Sequence, residues 1–176
     1  MKKSILILCC LLPILAACGQ KPAAPTQAWC EYAFQQIPDH QELAKVDAAA
    51  FSSDFYSILQ KAYALKDREQ EMYPGELGDW EFLFYWYAGN GESPLEDPAH
   101  TITYEIGEVQ GGKASVDVTI HTPSWAPDYT EYHRFTMPVV YEDGAWRIDD
   151  WQGKAFGEDG FSMKKSAQDY VSGSQK

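Results

Sequence analysis

The stretch "VVYEDGAWRIDDW", residues 139–151, decides the fold class, because a single Asp-Gly pair divides it into two extended runs. Asp143-Gly144 suits a tight two-residue hairpin, in which both turn residues take the left-handed conformation. The residues before the turn close a strand that begins within "YTEYHRFTMPVVYED", and "AWRIDDW" after it forms the partner, read as the last strand. Further upstream, "KASVDVTIHT" (113–122) puts Val116, Val118 and Ile120 on one face and Ser115, Asp117, Thr119 and His121 on the other. Ile102, Tyr104 and Ile106 alternate with Thr103 and Glu105 in the same way, and Gly111-Gly112 turns the chain between the two runs. The region from Thr101 onward therefore predicts an antiparallel meander with one apolar face.

The period changes upstream of Thr101. Phe51, Phe55, Ile58, Leu59, Ala62 and Leu65 recur at spacings of three and four, the stripe of a half-buried helix. Asp47 or Ser52 offers its N-cap and Pro74-Gly75 its stop. A shorter helix is predicted over Trp29–Ile37, closed by Pro38, since the residue before a proline is driven out of the α region. "DWEFLFYWY" (79–87) is too densely aromatic to assign by period and fits either a helical turn or a strand across the sheet; "AGNGESPLEDPAH" after it is a loop. Helices first and strands after them give an α+β domain with one sheet face covered by helices. The expected layout is one domain over 29–152 and a polar tail over 153–176.

The first residues carry a different message. Lys2 and Lys3 precede an apolar run, Ile5 to Leu15, interrupted only by Pro13 and far short of the ~20 residues of a membrane span. Leu15-Ala16-Ala17-Cys18 resembles the lipobox of bacterial lipoprotein signals. That resemblance implies cleavage after residue 17, a diacylglycerol on the Cys18 sulfur and an acylated new N-terminus. Two or more acyl chains, at ~0.8 kcal/mol per buried CH₂, hold a protein stably on a bilayer. Residues 18–28, rich in Pro, Ala and Gln, then read as a flexible tether. By the sorting rule of enterobacterial lipoproteins, which this segment resembles, Gly19 in place of Asp at the following position would imply the outer membrane, facing the periplasm.

With Cys9 and Cys10 in the leader and Cys18 acylated, only Cys30 remains, so no internal disulfide forms. Trp29, Tyr32 and Phe34 around Cys30 point to burial of the thiol under a helix. Loss of Lys2 and Lys3 leaves 12 basic against 26 acidic residues, a charge of −14. Such a chain is repelled by nucleic acid and attracts cationic proteins. Aromatic residues make up 14% of the sequence, enough to supply a groove as well as a core.

The order just described, a long helix with "LQKAYALKDREQE", a loop like "GNGESPLEDP" and strands ending "VVYEDGAWRIDDW", resembles the nuclear-transport-factor-2-like superfamily over roughly residues 29–151. Secreted and lipid-anchored members often close on a hydrophobic-hydrophobic-x-x-Asp-Gly-x-Trp-x-Ile-x-Asp hairpin, matched here by Val139-Val140, Asp143-Gly144, Trp146, Ile148 and Asp150. The resemblance implies helices packed on a curved, cone-shaped antiparallel sheet and a candidate dimer surface on the sheet's exposed face. Fold alone does not fix activity, since this superfamily holds isomerases, dehydratases and non-catalytic binding modules.

Catalytic members set a His/Asp or Asp/Tyr pair inside the cone. The residues at hand are Tyr104, Asp117, His121, His133, Asp149 and Asp150. Asp117 and His121 lie four apart on one strand face, about 13 Å along it, too far for a dyad. Metal and cofactor sites are not expected: His40, His100, His121 and His133 have no paired helical spacing, and Asp97, Asp149-Asp150 and Glu158-Asp159 do not follow a calcium-loop pattern. What remains is aromatics beside acids. Trp80 with Asp79 and Glu81, and Trp125, Asp128, Tyr129 and Tyr132 in "HTPSWAPDYTEYH", form candidate anchors for a basic protein or a cationic ligand. The functional expectation is a non-enzymatic, lipid-anchored binding domain, in its sharper form an immunity or inhibitor protein against a basic periplasmic protein. Its rivals are a small-molecule enzyme using the cone interior and a structural envelope lipoprotein.

Overall fold

The computed structural model describes residues 22–38, 42–76, 78–84, 86, 93–123, 131–155 and 158–173. Helix α1 spans Gln27–Gln35, with the Thr26 hydroxyl accepting from the Trp29 N–H at 3.2 Å. Helix α2 spans Ser53–Met72. Both candidate caps ahead of it are used: Asp47 caps a short 3₁₀ turn over Ala48–Ala50, and Ser52 caps α2 by accepting from the Phe55 N–H.

The strands are β1 (Thr101–Ile106), β2 (Lys113–Thr122), β3 (Glu131–Glu142), β4 (Ala145–Ile148), β5 (Gln152–Ala155) and β6 (Glu158–Ser162). They form one antiparallel, curved and open sheet in the order β1-β2-β3-β5-β6, and β4 also pairs with β3. The chain is α+β, as the change of period predicts. Asp143 and Gly144 have φ of 52° and 82°, and Gly111 and Gly112 have 57° and 74°, so both tight turns take the left-handed conformations that two-residue hairpins need.

Register fixes the faces. Ile102, Tyr104 and Ile106 stand opposite Ile120, Val118 and Val116, which in turn face His133, Phe135 and Met137. This inner face packs on α1 and α2, with Phe55, Leu59 and Ala62 of α2 and Cys30, Ala33 and Phe34 of α1 buried against it. The Cys30 thiol is fully buried, and burial pushes it up to about 11.

Two boundaries differ from the sequence reading. "AWRIDDW" is not the last strand, and 153–176 is not simply a polar tail. After β4 the chain bends at Asp149-Asp150-Trp151, continues as β5 and β6, and enters helix α3 (Met163–Gly173). That helix buries Met163, Ala167 and Tyr170, a four-then-three spacing that sits on α2. Its apolar stripe is thin and centred on an alanine, so the segment reads as polar by composition. The second half of the tether is likewise docked: Pro25 is buried, and the Trp146 indole donates to the Ala23 carbonyl at 2.8 Å.

Candidate functional site

Among the described residues, aromatic rings fill the space between the inner face of the sheet and the helices. Trp151, fully buried, stacks on Phe135 with centroids 5.0 Å apart, and its indole donates to the Trp86 carbonyl. Phe34 meets both Tyr104, edge-on at 6.0 Å, and Trp151 at 6.2 Å, while Phe55 contacts Trp86 at 6.4 Å. Tyr104 therefore belongs to a ring cluster. Burial, reinforced by the charges of Glu31 and Cys30, raises its phenol well above the ordinary range, so it stays protonated.

The six residues considered for acid-base work are not brought together. Tyr104 and His133 belong to the inner face, and Asp117 and His121 to the outer. Asp149 and Asp150 are committed to the architecture. Asp149 accepts from the Ser52 hydroxyl at 2.6 Å and from the Lys164 ammonium at 2.9 Å. Burial alone would lower the Lys164 ammonium, but hydrogen bonds and charge from Asp54 and Asp149 outweigh it and hold the group raised. Asp150, 7% exposed, accepts four hydrogen bonds: from the Trp151 N–H (2.8 Å), the Lys164 N–H (2.9 Å), the Gln152 amide (2.9 Å) and the Ser162 hydroxyl (2.7 Å). Its carboxylate thus sits at the N-terminus of α3, where unpaired N–H groups and the helix dipole favour an anion. Among the described residues no group of three or more His, Cys, Asp or Glu is placed to hold a metal ion.

The candidate anchors fare unevenly. Trp80 is 4% exposed and packs edge-on against Phe84 at 5.4 Å, so it is a core residue and not a surface anchor. Tyr132 lies in β3, its backbone paired opposite His121 of β2. Trp125, Asp128, Tyr129 and Cys18 lie outside the described residues.

Two cavities face solvent with chemistry of their own. One, of about 610 Å³, opens between α2, α3 and the 3₁₀ turn Glu81–Phe84. Its apolar wall is Phe82 edge-on to Tyr170 at 5.8 Å, and the carboxylates of Glu69, Asp79 and Asp169 line it. The Tyr170 hydroxyl donates to Glu69 at 2.8 Å. Burial first, then the Glu69 hydrogen bond and the charges of Glu69 and Asp79, raise the Tyr170 phenol against the opposing Arg68. Asp169 is also paired with Lys165 one turn earlier. The other cavity, about 710 Å³, lies on the outer face of the sheet over a row that includes Asp117, Thr136 and Gln152.

Sequence reasoning names Asp79 but misses Glu69, Phe82, Asp169 and Tyr170, because the pocket is assembled by α3 docking. The only signal for it is the Met163, Ala167, Tyr170 spacing. Among the described residues no helix is long and apolar enough to cross a membrane. No family model, curated protein or solved structure matches the chain.

Proposed function

We propose that the chain is a non-enzymatic binding domain, anchored by lipid on Cys18 to the outer membrane and facing the periplasm, whose partner is a basic protein. In its sharper form it is an immunity or inhibitor protein that neutralises such a partner. The observation that carries this reading is the pocket in which Phe82 and Tyr170 stand among Glu69, Asp79 and Asp169. The carboxylates around this pocket suit a lysine ammonium or an arginine guanidinium, which gains Coulomb attraction and charge-assisted hydrogen bonds there. The net charge of −14 on residues 18–176 supports the same class of partner and would steer its approach. The aromatic filling of the interior speaks against the enzymatic alternative.

Membership of the nuclear-transport-factor-2-like superfamily is part of the proposal. It is supported by helices ahead of a curved antiparallel sheet and by the Asp143-Gly144 hairpin with buried Trp146 and Ile148. The anchor reading also has a geometric consequence. Four residues lie between Cys18 and Ala23, which Trp146 holds, so the five Cα–Cα steps allow at most ~18 Å of chain between the acylated residue and the sheet.

The test is capture from envelope extracts on the detergent-solubilised protein at low salt, in parallel with an Asp79→Asn/Asp169→Asn variant. The reading expects a basic protein that elutes over a narrow rise in salt from the wild type and is lost from the variant. Equal capture by both, or none by either, would sink it.

A further inference from the structure

The outer face of the sheet carries a second, chemically different site. Glu105, Asp117, Thr136, Gln152 and Ser162 are successive cross-strand partners, so they form one row over β1, β2, β3, β5 and β6. Neighbouring strands lie about 4.8 Å apart, which spaces polar side chains by roughly the width of a sugar ring along a line of about 19 Å. The row floors the cavity of about 710 Å³, a size suited to a small organic ligand.

We propose that this groove binds a neutral oligosaccharide laid across the strands. Three features support that ligand class. First, the charges are mixed. Glu105 and Asp117 face one another directly, and Arg134 stands one row away on the same face, opposite Thr119. A polyanion would meet the two carboxylates, and a polycation would meet the guanidinium. A sugar hydroxyl both donates and accepts, so it can serve carboxylate, guanidinium, threonine and amide in turn.

Second, the row is already ordered. The Thr136 hydroxyl donates to Asp117 at 2.8 Å, which fixes one carboxylate oxygen. Gln152 and Ser162 are both tied to buried Asp150, and Ser162 also accepts from the Lys165 N–H, so Ser162 acts as the end wall of the groove. Side chains fixed before binding lose little entropy on binding. Third, like charges placed directly opposite on neighbouring strands weaken a sheet, and no packing need is met by pairing Glu105 with Asp117 on the exposed face. A local rule broken without structural gain is characteristic of a binding surface.

This site does not depend on the acidic pocket, and the experiment separates the two. The full chain, solubilised in a zwitterionic detergent that carries no sugar, is titrated calorimetrically with cellopentaose, maltopentaose and N-acetylchitopentaose. At least one pentasaccharide is expected to bind with an affinity that salt does not change. Asp117→Ala and Thr136→Val should each weaken that binding by about tenfold or more, in line with the loss of one hydrogen bond to a charged group. Glu105→Gln, an exposed change that leaves the core untouched, should weaken it while the melting temperature holds, and Asp79→Asn in the acidic pocket should leave it unaltered. No binding by any of the three sugars into the millimolar range, binding undiminished in Asp117→Ala and Glu105→Gln, or binding that falls as salt rises would each overturn the proposal.

Discussion

Replacing Asp150 by alanine removes one carboxylate and strands four donors at once, and the cost follows from where those donors lie. The Trp151 N–H is buried, and the N–H of Lys164, the Gln152 amide and the Ser162 hydroxyl are partly buried. A buried donor left without a partner costs about 1–3 kcal/mol. The partly buried groups regain water and cost about 0.5 kcal/mol each, the low end of a hydrogen bond's net contribution. Losing the anion at the N-terminus of α3 is included in the Lys164 contribution. The sum is a loss of about 2.5–4.5 kcal/mol. Equilibrium urea unfolding reads it directly: at roughly 2 kcal/mol per molar, the midpoint should fall by about 1–2 M. Asn at this position keeps one oxygen but turns an amide toward donors, so it should fall between wild type and alanine. Hydrogen exchange should show α3 losing protection before α2 does. A loss below about 1 kcal/mol for Asp150→Ala would refute the claim that this carboxylate fastens the C-terminal elements to the sheet.

Other consequences can be checked on the same protein. A Cβ on Gly153 would stand 2.7 Å from Phe135 Cδ1, and Phe135 is held against Trp151, so Gly153→Ala should cost about 1–3 kcal/mol by thermal or urea unfolding. Glu142 reaches from the end of β3 to the start of α2, accepting from the Ser53 hydroxyl at 2.5 Å and the Ser53 N–H at 2.9 Å. These two bonds, with Arg147, hold its carboxyl below its ordinary value near 4.5 against burial and Asp149. A folded state that binds this proton less tightly than the unfolded state gains stability above the ordinary value and loses it as pH falls through the lowered one. The unfolding free energy of Glu142→Gln should therefore trail wild type by about 0.5–1 kcal/mol at neutral pH, a figure already reduced for solvent screening, and the gap should close in acid. Cys30, buried and pushed up to about 11, should react with maleimides in the native protein only as fast as the domain opens, so the rate should rise steeply with sub-denaturing urea.

The elements that sequence could supply are those set by local rules. Asp143-Gly144 and Gly111-Gly112 turn where their residue types predict, and the Val116, Val118, Ile120 face is buried as its period requires. Ser52 and Asp47 both cap because each lies directly ahead of a helical turn. The parts that escaped depend on partners far along the chain. Asp149 and Asp150 end β4 because one serves Ser52, 97 positions away, and the other serves the start of α3. Nothing beside "DDW" says so. Trp80 stands next to Asp79 and Glu81 and so resembles a surface anchor, yet its ring is covered by Phe84 and the fold around it. The acidic pocket needs α3 against α2, and the outer-face row needs the register of five strands. Neither can be seen before the segment after Trp151 is recognised as part of the domain.

A chain that holds a basic partner as proposed does so through the pocket of Phe82, Tyr170, Glu69, Asp79 and Asp169. The most direct measurement is the salt-gradient capture with wild type and Asp79→Asn/Asp169→Asn side by side, both shown by circular dichroism to be folded. One basic protein retained by the wild type, released over a narrow salt range and absent from the variant is the predicted result. Retention that is indifferent to the two substitutions, or no retained protein at low salt, would contradict it.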